Sequence, residues 1–268
     1  MEGATNPRDC VPSTDGSAGT SSACLQAHLS TLYALAQHSR HVFASPLGPF
    51  PFGGRHAYLP RFAFFGPHAS DDSWRLAFLA GFDHRDLRAS QALLALAGTL
   101  AENAESGHGL NLSFFPLVDA AGLFLGASDR RLASAHWSRT DIPEILLLER
   151  DARQRGYHGF VRVETAPAGG EAIEVSVRRS GGAGSSPDAD LITSEEAEGL
   201  PVRFEFESVE HPAEGPLSVA EDLPFNPFEV TLRIPASWAG DEYRKAVATL
   251  LERFLKRYRA YQAYGQHL

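Results

Sequence analysis

In the stretch FFGPHASDDSW, residues 64 to 74, His68 is followed three positions later by Asp71. An imidazole and a carboxylate turned to one side of a strand-to-helix junction suit zinc. Ser70, Asp71 and Asp72 are equally the residue types that open a helix, where side-chain oxygens accept from free backbone N–H groups and the dipole favours anions. The pair raises a metal-binding turn and an ordinary cap as alternatives, and a metal needs at least a third ligand. His136 and Trp137 precede Arg139, a residue type suited to bidentate recognition of carboxylate, while Asp141 and Glu144 offer it structural pairing instead. His158 stands before Gly159 at a turn into a strand, within a few residues of Glu164. His84, His108 and His211 fall in loops, and Trp74 reads as a packing residue.

These residues must be positioned by elements. Residues 1–22 are rich in Gly, Ser, Thr, Asp and Pro without an apolar period, which predicts a flexible tail ahead of one α/β domain over 23–268. Leu25, Leu29, Leu32 and Leu35 behind Ser22 predict a helix ending near His41, followed by a loop, SPLGPFPFGG. LPRFAFFG and LNLSFFPLV read as buried strands, and DSWRLAFLAGF and RDLRASQALLALAGTLAENA as helices. DIPEILLLERDARQRG is a helix with Pro143 in its first turn, and FVRVET a further strand. AIEVSVRR, VRFEFESV and PFEVTLRI alternate polar and apolar residues, as half-exposed strands near a sheet edge do. RSGGAGSSPDAD reads as a mobile loop. GDEYRKAVATLLERFLKRYRAYQ carries Tyr243, Val247, Leu250, Leu251, Phe254, Leu255 and Tyr258 on one stripe, a long amphipathic helix for the sheet to bury. Alternating strands and helices predict a three-layer α/β/α fold with a mixed, mostly parallel sheet.

With these elements in place, the chain resembles the zinc carboxypeptidase superfamily, in its succinylglutamate desuccinylase and aspartoacylase branch. GPHASDDSWRLAFLAGF is similar to the turn in which a strand ends in G-x-H-G-D-E and enters a helix, so that His68 matches the first zinc ligand and Asp71 stands in the place of Glu. Asp119, Ala120, Ala121 and Gly122 occupy the four places of "NPDG". AHWSRTDIPEILLLERDA resembles "DLNR" and its helix, which gives Arg139 the substrate-carboxylate role and puts Ser138 in the place of Asn. FVRVETA resembles the strand ending in "DLH", with Glu164 where the third ligand His would be, and FEVTLRIP resembles "TLETP", with Arg233 where the catalytic Glu would be. The resemblance runs in order over residues 58 to 260.

The departures carry chemical consequences. Family enzymes hold zinc with two His and one Glu and use a second Glu to take a proton from the bound water. His68, Asp71 and Glu164 would supply one imidazole and two carboxylates, a set that leans toward harder ions, so zinc is expected to be weakly held or absent. Arg233 stays protonated at any working pH and cannot be a general base. Glu229 shares its side of the strand but lies four residues, about 13 Å, away. The resemblance therefore implies an impaired relative that binds a small carboxylate or peptide end through Arg139, Ser138 and Arg233. An active metal-dependent amide hydrolase with a rearranged site, and an interaction scaffold, are the alternatives. A salt bridge from Arg233 to Asp71 or Glu164 in place of zinc is the concrete structural form of the first.

Composition narrows the partners. A net charge of −9 repels phosphate backbones, which argues against nucleic acid. No run approaches the roughly 20 apolar residues that span a bilayer, and the N-terminal residues lack a secretory pattern, so a cytoplasmic location is expected. The cysteines, Cys10 and Cys24, cannot build a thiolate metal site by themselves.

Overall fold

The computed structural model describes residues 18–70, 73–125, 132, 141–167, 169–180, 200–209 and 227–265. Their centre is an eight-stranded mixed sheet with the order β1-β4-β6-β5-β7-β10-β8-β9. Its strands are β1 (Val42–Ala44), β4 (Phe62–Phe65), β5 (Arg75–Leu79), β6 (Asn111–Phe115), β7 (Gly159–Thr165), β8 (Ile173–Ser180), β9 (Val202–Val209) and β10 (Phe228–Ile234). β6, β5, β7 and β10 run parallel to one another, and β8 turns antiparallel to β10. Helices α1 (Ala18–His38), α2 (Arg88–Glu102) and α5 (Gly240–Gly265) pack on one another along one face, while α3 (Ala120–Leu125) and α4 (Pro143–Arg155) form the other layer with the hairpin of β2 (Leu47–Phe52) and β3 (Arg55–Leu59). The three-layer α/β/α arrangement is the one expected from sequence.

Several local expectations are corrected. DSWRLAFLAGF contains strand β5, not a helix. Leu76 to Leu79 are all buried, as in a central parallel strand with cover on both faces, and such a strand shows a continuous apolar run that periodicity cannot separate from a buried helix. SPLGPFPFGG is mostly strand β2. It turns through Gly53 and Gly54, both at positive φ, the conformation a tight hairpin requires at its two central positions. α1 begins at Ala18, so residues 18–22, assigned to the tail, are helical. PFEVTLRI is not near an edge: β10 lies between β7 and β8, and only Arg233 within it is less than buried. Of the loop RSGGAGSSPDAD, Arg179 and Ser180 are the end of β8, and residues 181–190 lie outside the described residues, as does Cys10. Cys24 is a buried thiol, outside any disulfide, with Sγ 3.7 Å from His28 Nδ1.

The two faces of the β7–β10–β8 region differ in kind. Phe228, Val230, Leu232 and Ile234 point toward α5, where Phe228 meets Phe254 and Tyr258 at ring distances of 6.2 and 6.4 Å, and Tyr243 Oη lies 3.1 Å from Thr165 Oγ1. Glu229, Thr231 and Arg233 point the opposite way with Arg162 and Glu164 of β7 and Arg178, Ser176 and Glu174 of β8 in register beside them. One strand thus serves a dry helix interface and a polar interior together.

Candidate functional site

The carboxyl ends of β5, β7 and β10 surround a cavity of about 600 Å³ lined by residues of the Gly81–Ala89 turn, the Val163–Pro167 segment, Leu132 and Ala236. Ligand sites of open α/β sheets lie at such strand ends. The turn is built by backbone pairing. Ala80 N–H donates to Phe115 O at 3.0 Å, Val118 N–H to Ala80 O at 3.0 Å and Asp119 N–H to Gly81 O at 2.8 Å, which zips the ends of β5 and β6 together. Gly81 has φ +70, and a Cβ there would lie 2.6 Å from Ser90 Oγ and 2.9 Å from Leu117 Cα, so both the conformation and the space demand glycine.

Among the described residues three carboxylates line the cavity, and each is bonded to a guanidinium. Asp83 is held in a two-pronged pair by Arg85, at 2.9 and 3.0 Å. Asp86 accepts from Arg88 Nε at 3.0 Å, Nη2 at 2.7 Å and the backbone N–H at 3.2 Å. Burial by itself would raise the Asp86 carboxyl, but hydrogen bonds from Arg88 and Thr165 outweigh it and hold it below the usual carboxylate range. Arg88 is saturated in turn. Its Nη1 donates to Ala236 O at 3.0 Å, and its charge lies 5.1 Å from the centre of the Tyr243 ring.

Glu164, the third acid, belongs to a chain of alternating charge that runs down the polar face of the sheet. Arg162 donates to Glu229 Oε1 at 2.8 Å and through Nη2 to Glu164 Oε1, and its guanidinium lies 4.8 Å from the centre of the Phe82 ring. Arg233 Nε lies 3.7 Å from Glu164 Oε2. Burial pushes the Glu229 carboxyl above its ordinary range, and the Arg162 charge opposes this. Arg162, Glu229 and Thr231 are buried, whereas the Arg233 side chain is 35% exposed. Arg233 is thus the outermost and most loosely paired link.

Beside the turn, His84 Nδ1 lies 2.6 Å from Asp119 Oδ2, and Asp119, fully buried, also accepts from the Gly122 N–H at 3.1 Å as the first turn of α3 forms. A Cβ on Gly122 would lie 2.4 Å from both His84 Nδ1 and Asp119 Oδ2. Of the four "NPDG" places, the glycine is retained where the imidazole and carboxylate meet.

The residues singled out from sequence are divided by this geometry. Glu164 and Arg233 are register partners and an ion pair, as the salt-bridge reading expected. His68 is not with them. β4 is antiparallel to β6, so the turn after β4 lies at the amino ends of the parallel strands. Phe65 pairs with Asn111, Asn111 with Arg75, and Leu76 with Gly159, which puts Glu164 about six strand residues, or about 20 Å, from the level of His68. His68 and Glu164 therefore share no centre. His158 is likewise at the amino end of β7, where its Nδ1 accepts from Arg75 N–H at 3.0 Å and its ring stacks on Trp74 at 5.2 Å. Asp71, Ser138 and Arg139 lie outside the described residues.

The strand, turn and helix that the resemblance calls for occur one strand later. β5 runs into Gly81, Phe82, Asp83, His84, Arg85 and Asp86 and then α2, so Asp83 stands in the place of His and Asp86 in that of Glu in G-x-H-G-D-E. The signal was present as Gly-x-Asp-x-x-Asp ahead of an unambiguous helix, and reading β5 as helix concealed it. Asp83, Asp86 and Glu164 line one cavity, but the set does not fit zinc: no imidazole is among the described lining residues, and each of these three acids is engaged by arginine. Among the described residues no group of three or more His, Cys, Asp or Glu is arranged to hold a metal ion.

No family model and no curated protein matches this sequence. Solved structures do. A provisionally assigned metallopeptidase from Shewanella baltica OS155 superimposes with a TM-score of 0.62 at 14% identity, covering 88% of this chain and 92% of that one. A metallo-carboxypeptidase from Burkholderia cenocepacia gives 0.62 at 14% identity over 87% of this chain and 68% of its own. A Pseudomonas aeruginosa metallo-carboxypeptidase in complex with (2-guanidinoethylmercapto)succinic acid gives 0.53 at 15% identity, covering 85% and 67%. At these identities the likeness is one of architecture, and the architecture of this chain is the zinc carboxypeptidase-like fold.

Proposed function

We propose that this protein is a carboxypeptidase-fold binding protein that has lost metal-dependent hydrolysis and uses the cavity at the carboxyl ends of β5, β7 and β10 to receive a small carboxylate or a peptide end. The observation that carries this reading is the chain Glu229–Arg162–Glu164–Arg233. At the strand end where the resembling enzymes need a ligand and a proton acceptor, this protein has an acid already bonded to two guanidinium groups, one of which is Arg233 itself. A permanently protonated side chain cannot take a proton from water, and positive charge beside Glu164 opposes a divalent cation. What an arginine at the end of such a chain can do is bind an anion.

Arg233 is suited to that task by its looseness. Its contact with Glu164 is long, at 3.7 Å, and its side chain is one-third exposed, so an incoming carboxylate can share the guanidinium without uncovering a buried acid. Arg162 continues to satisfy Glu164 from below. The succinic acid derivative bound by the Pseudomonas aeruginosa protein of the same fold is consistent with a small-carboxylate ligand. Arg139 and Ser138, at the "DLNR" place, are proposed as further contacts on the carboxylate.

Calorimetric titration with N-acyl amino acids and short peptides tests the proposal. Saturable binding that weakens as salt rises, and weakens again in Arg233→Glu, is the expected result. Binding indifferent to that substitution, or turnover of an N-acyl amino acid that a chelator abolishes, overturns it.

A further inference from the structure

Away from this cavity, at the amino ends of the parallel strands, His68 and His108 face each other with ring centroids 4.8 Å apart and an interplanar angle of 35°. Both residues are exposed. We infer that these two imidazoles form a two-histidine surface site for one borderline divalent cation such as Zn2+, Ni2+ or Cu2+, with water completing the coordination.

The geometry has the right scale. Zinc lies about 2.0–2.1 Å from an imidazole nitrogen, and so about 3.2 Å from the ring centre; two rings sharing an ion at a near-tetrahedral angle then have centres about 5 Å apart. The observed 4.8 Å matches that separation. Glu105 Oε2 lies 3.8 Å from His108 Nδ1, which places a negative charge beside this imidazole and leaves Nε2 for the metal.

The backbone holds the pair in advance. Gly66 N–H donates to Leu110 O at 2.9 Å and Gly109 N–H to Pro67 O at 2.8 Å, clamping the turn after β4 onto the segment before β6. The contact is so close that a Cβ on Gly66 would overlap Gly107 O at 1.7 Å. His68 itself has φ +60, the only positive value at a non-glycine position among the described residues. A left-handed histidine is a sparsely populated state, and here it directs the ring at His108. Ring contact alone would be served by any aromatic residue, whereas imidazoles on both sides, with an acid behind one, are the groups a metal requires.

The test uses the full, untagged chain and Zn2+ alone. Isothermal titration is expected to show one saturable equivalent, weakened by about tenfold or more in His68→Gly and in His108→Phe. Neither variant threatens the fold: glycine is at ease at φ +60, and phenylalanine keeps the ring contact. His56→Ala, which removes an exposed histidine elsewhere, is expected to bind as wild type. With Cu2+ as the probe, electron paramagnetic resonance should report nitrogen coupling in the wild type that changes in each site variant. Absence of saturable binding, binding that survives both site variants, or equal loss in His56→Ala overturns the proposal. Carboxylate binding at the other end of the sheet should be unaffected in His68→Gly, which separates the two readings.

Discussion

Arg233 and Glu164 are cross-strand partners on β10 and β7, and their side chains meet with Nε 3.7 Å from Oε2. In the resembling enzymes these two places belong to a catalytic acid and a metal ligand. Here they are joined to each other, and Arg162 joins them both to Glu229. Under the function proposed above, arginine keeps the charges at the strand ends compensated where water activation would need a metal and a base.

Arg233→Glu follows directly. It places a carboxylate against Glu164 and removes the exposed guanidinium, so binding of a carboxylate ligand should fall by about 10- to 100-fold, the loss expected for one charge-assisted contact. It should not by itself create a zinc hydrolase, because Asp83, Asp86 and Glu164 remain engaged by arginines. Titration and a hydrolysis assay with added zinc check both halves.

The centre of the charge chain should matter more to stability than its end. Arg162→Leu leaves Glu229 and Glu164 without their shared partner in a buried setting, and removing one member of a buried ion pair costs about 3–5 kcal/mol. Urea denaturation should show a loss of that size, with part of it regained in Arg162→Leu/Glu229→Gln, since a neutral amide tolerates burial better than an unpaired acid.

How far this arrangement was legible in the sequence depended on which signal each segment carried. The α5 stripe was plain: Tyr243, Val247, Leu251, Phe254, Leu255 and Tyr258 are all buried, as a 3.6-residue period requires. Pro143 and Gly156 bracketed α4 through chemistry local to its ends, with Gly156 at φ 57 as its cap. RLAFL carried no such signal, because a strand buried on both faces has no period, and one misread strand moved the candidate site to the wrong end of the sheet. Glu164 and Arg233 are neighbours as the sequence expected, because the alternation of their strands fixes which side chains share a face. The His84–Asp119 contact depended on pairing between strands far apart in sequence, which no local pattern encodes.

Two glycines should respond in opposite directions to alanine. Gly122→Ala puts a Cβ 2.4 Å from His84 Nδ1 and Asp119 Oδ2, so the pair must separate and the buried acid loses a partner, at a cost of about 1–3 kcal/mol. Gly98, within α2, meets nothing within 4 Å, and Gly98→Ala should stabilise by about 0.5–1 kcal/mol through helix propensity alone. Thermal unfolding of the two variants beside wild type checks the contrast, and a drop in both would show that α2 is packed more tightly at Gly98 than described.

Acid should weaken the protein through His158. Burial, and then the charge of Arg75, push this imidazole down to about 4, while the Arg75 N–H bond to Nδ1 is available only to the unprotonated ring. In the unfolded chain the group titrates near 6.5. Between these values the unfolded state binds more protons than the folded one, so stability falls as pH falls. The contribution is complete above about pH 6.5 and is lost as pH drops through that value toward 4. Because the ring is only half-buried, screening reduces the effect to about 1–2 kcal/mol. His158→Phe keeps the stack on Trp74, which has rings 5.2 Å apart and 7° from parallel, but removes both the acceptor and the titration. At pH 7.5 the variant should be the less stable of the two, and the gap should narrow or reverse by pH 4.5. Urea midpoints for both proteins measured across that range decide the matter: parallel curves would mean that His158 does not carry the acid sensitivity.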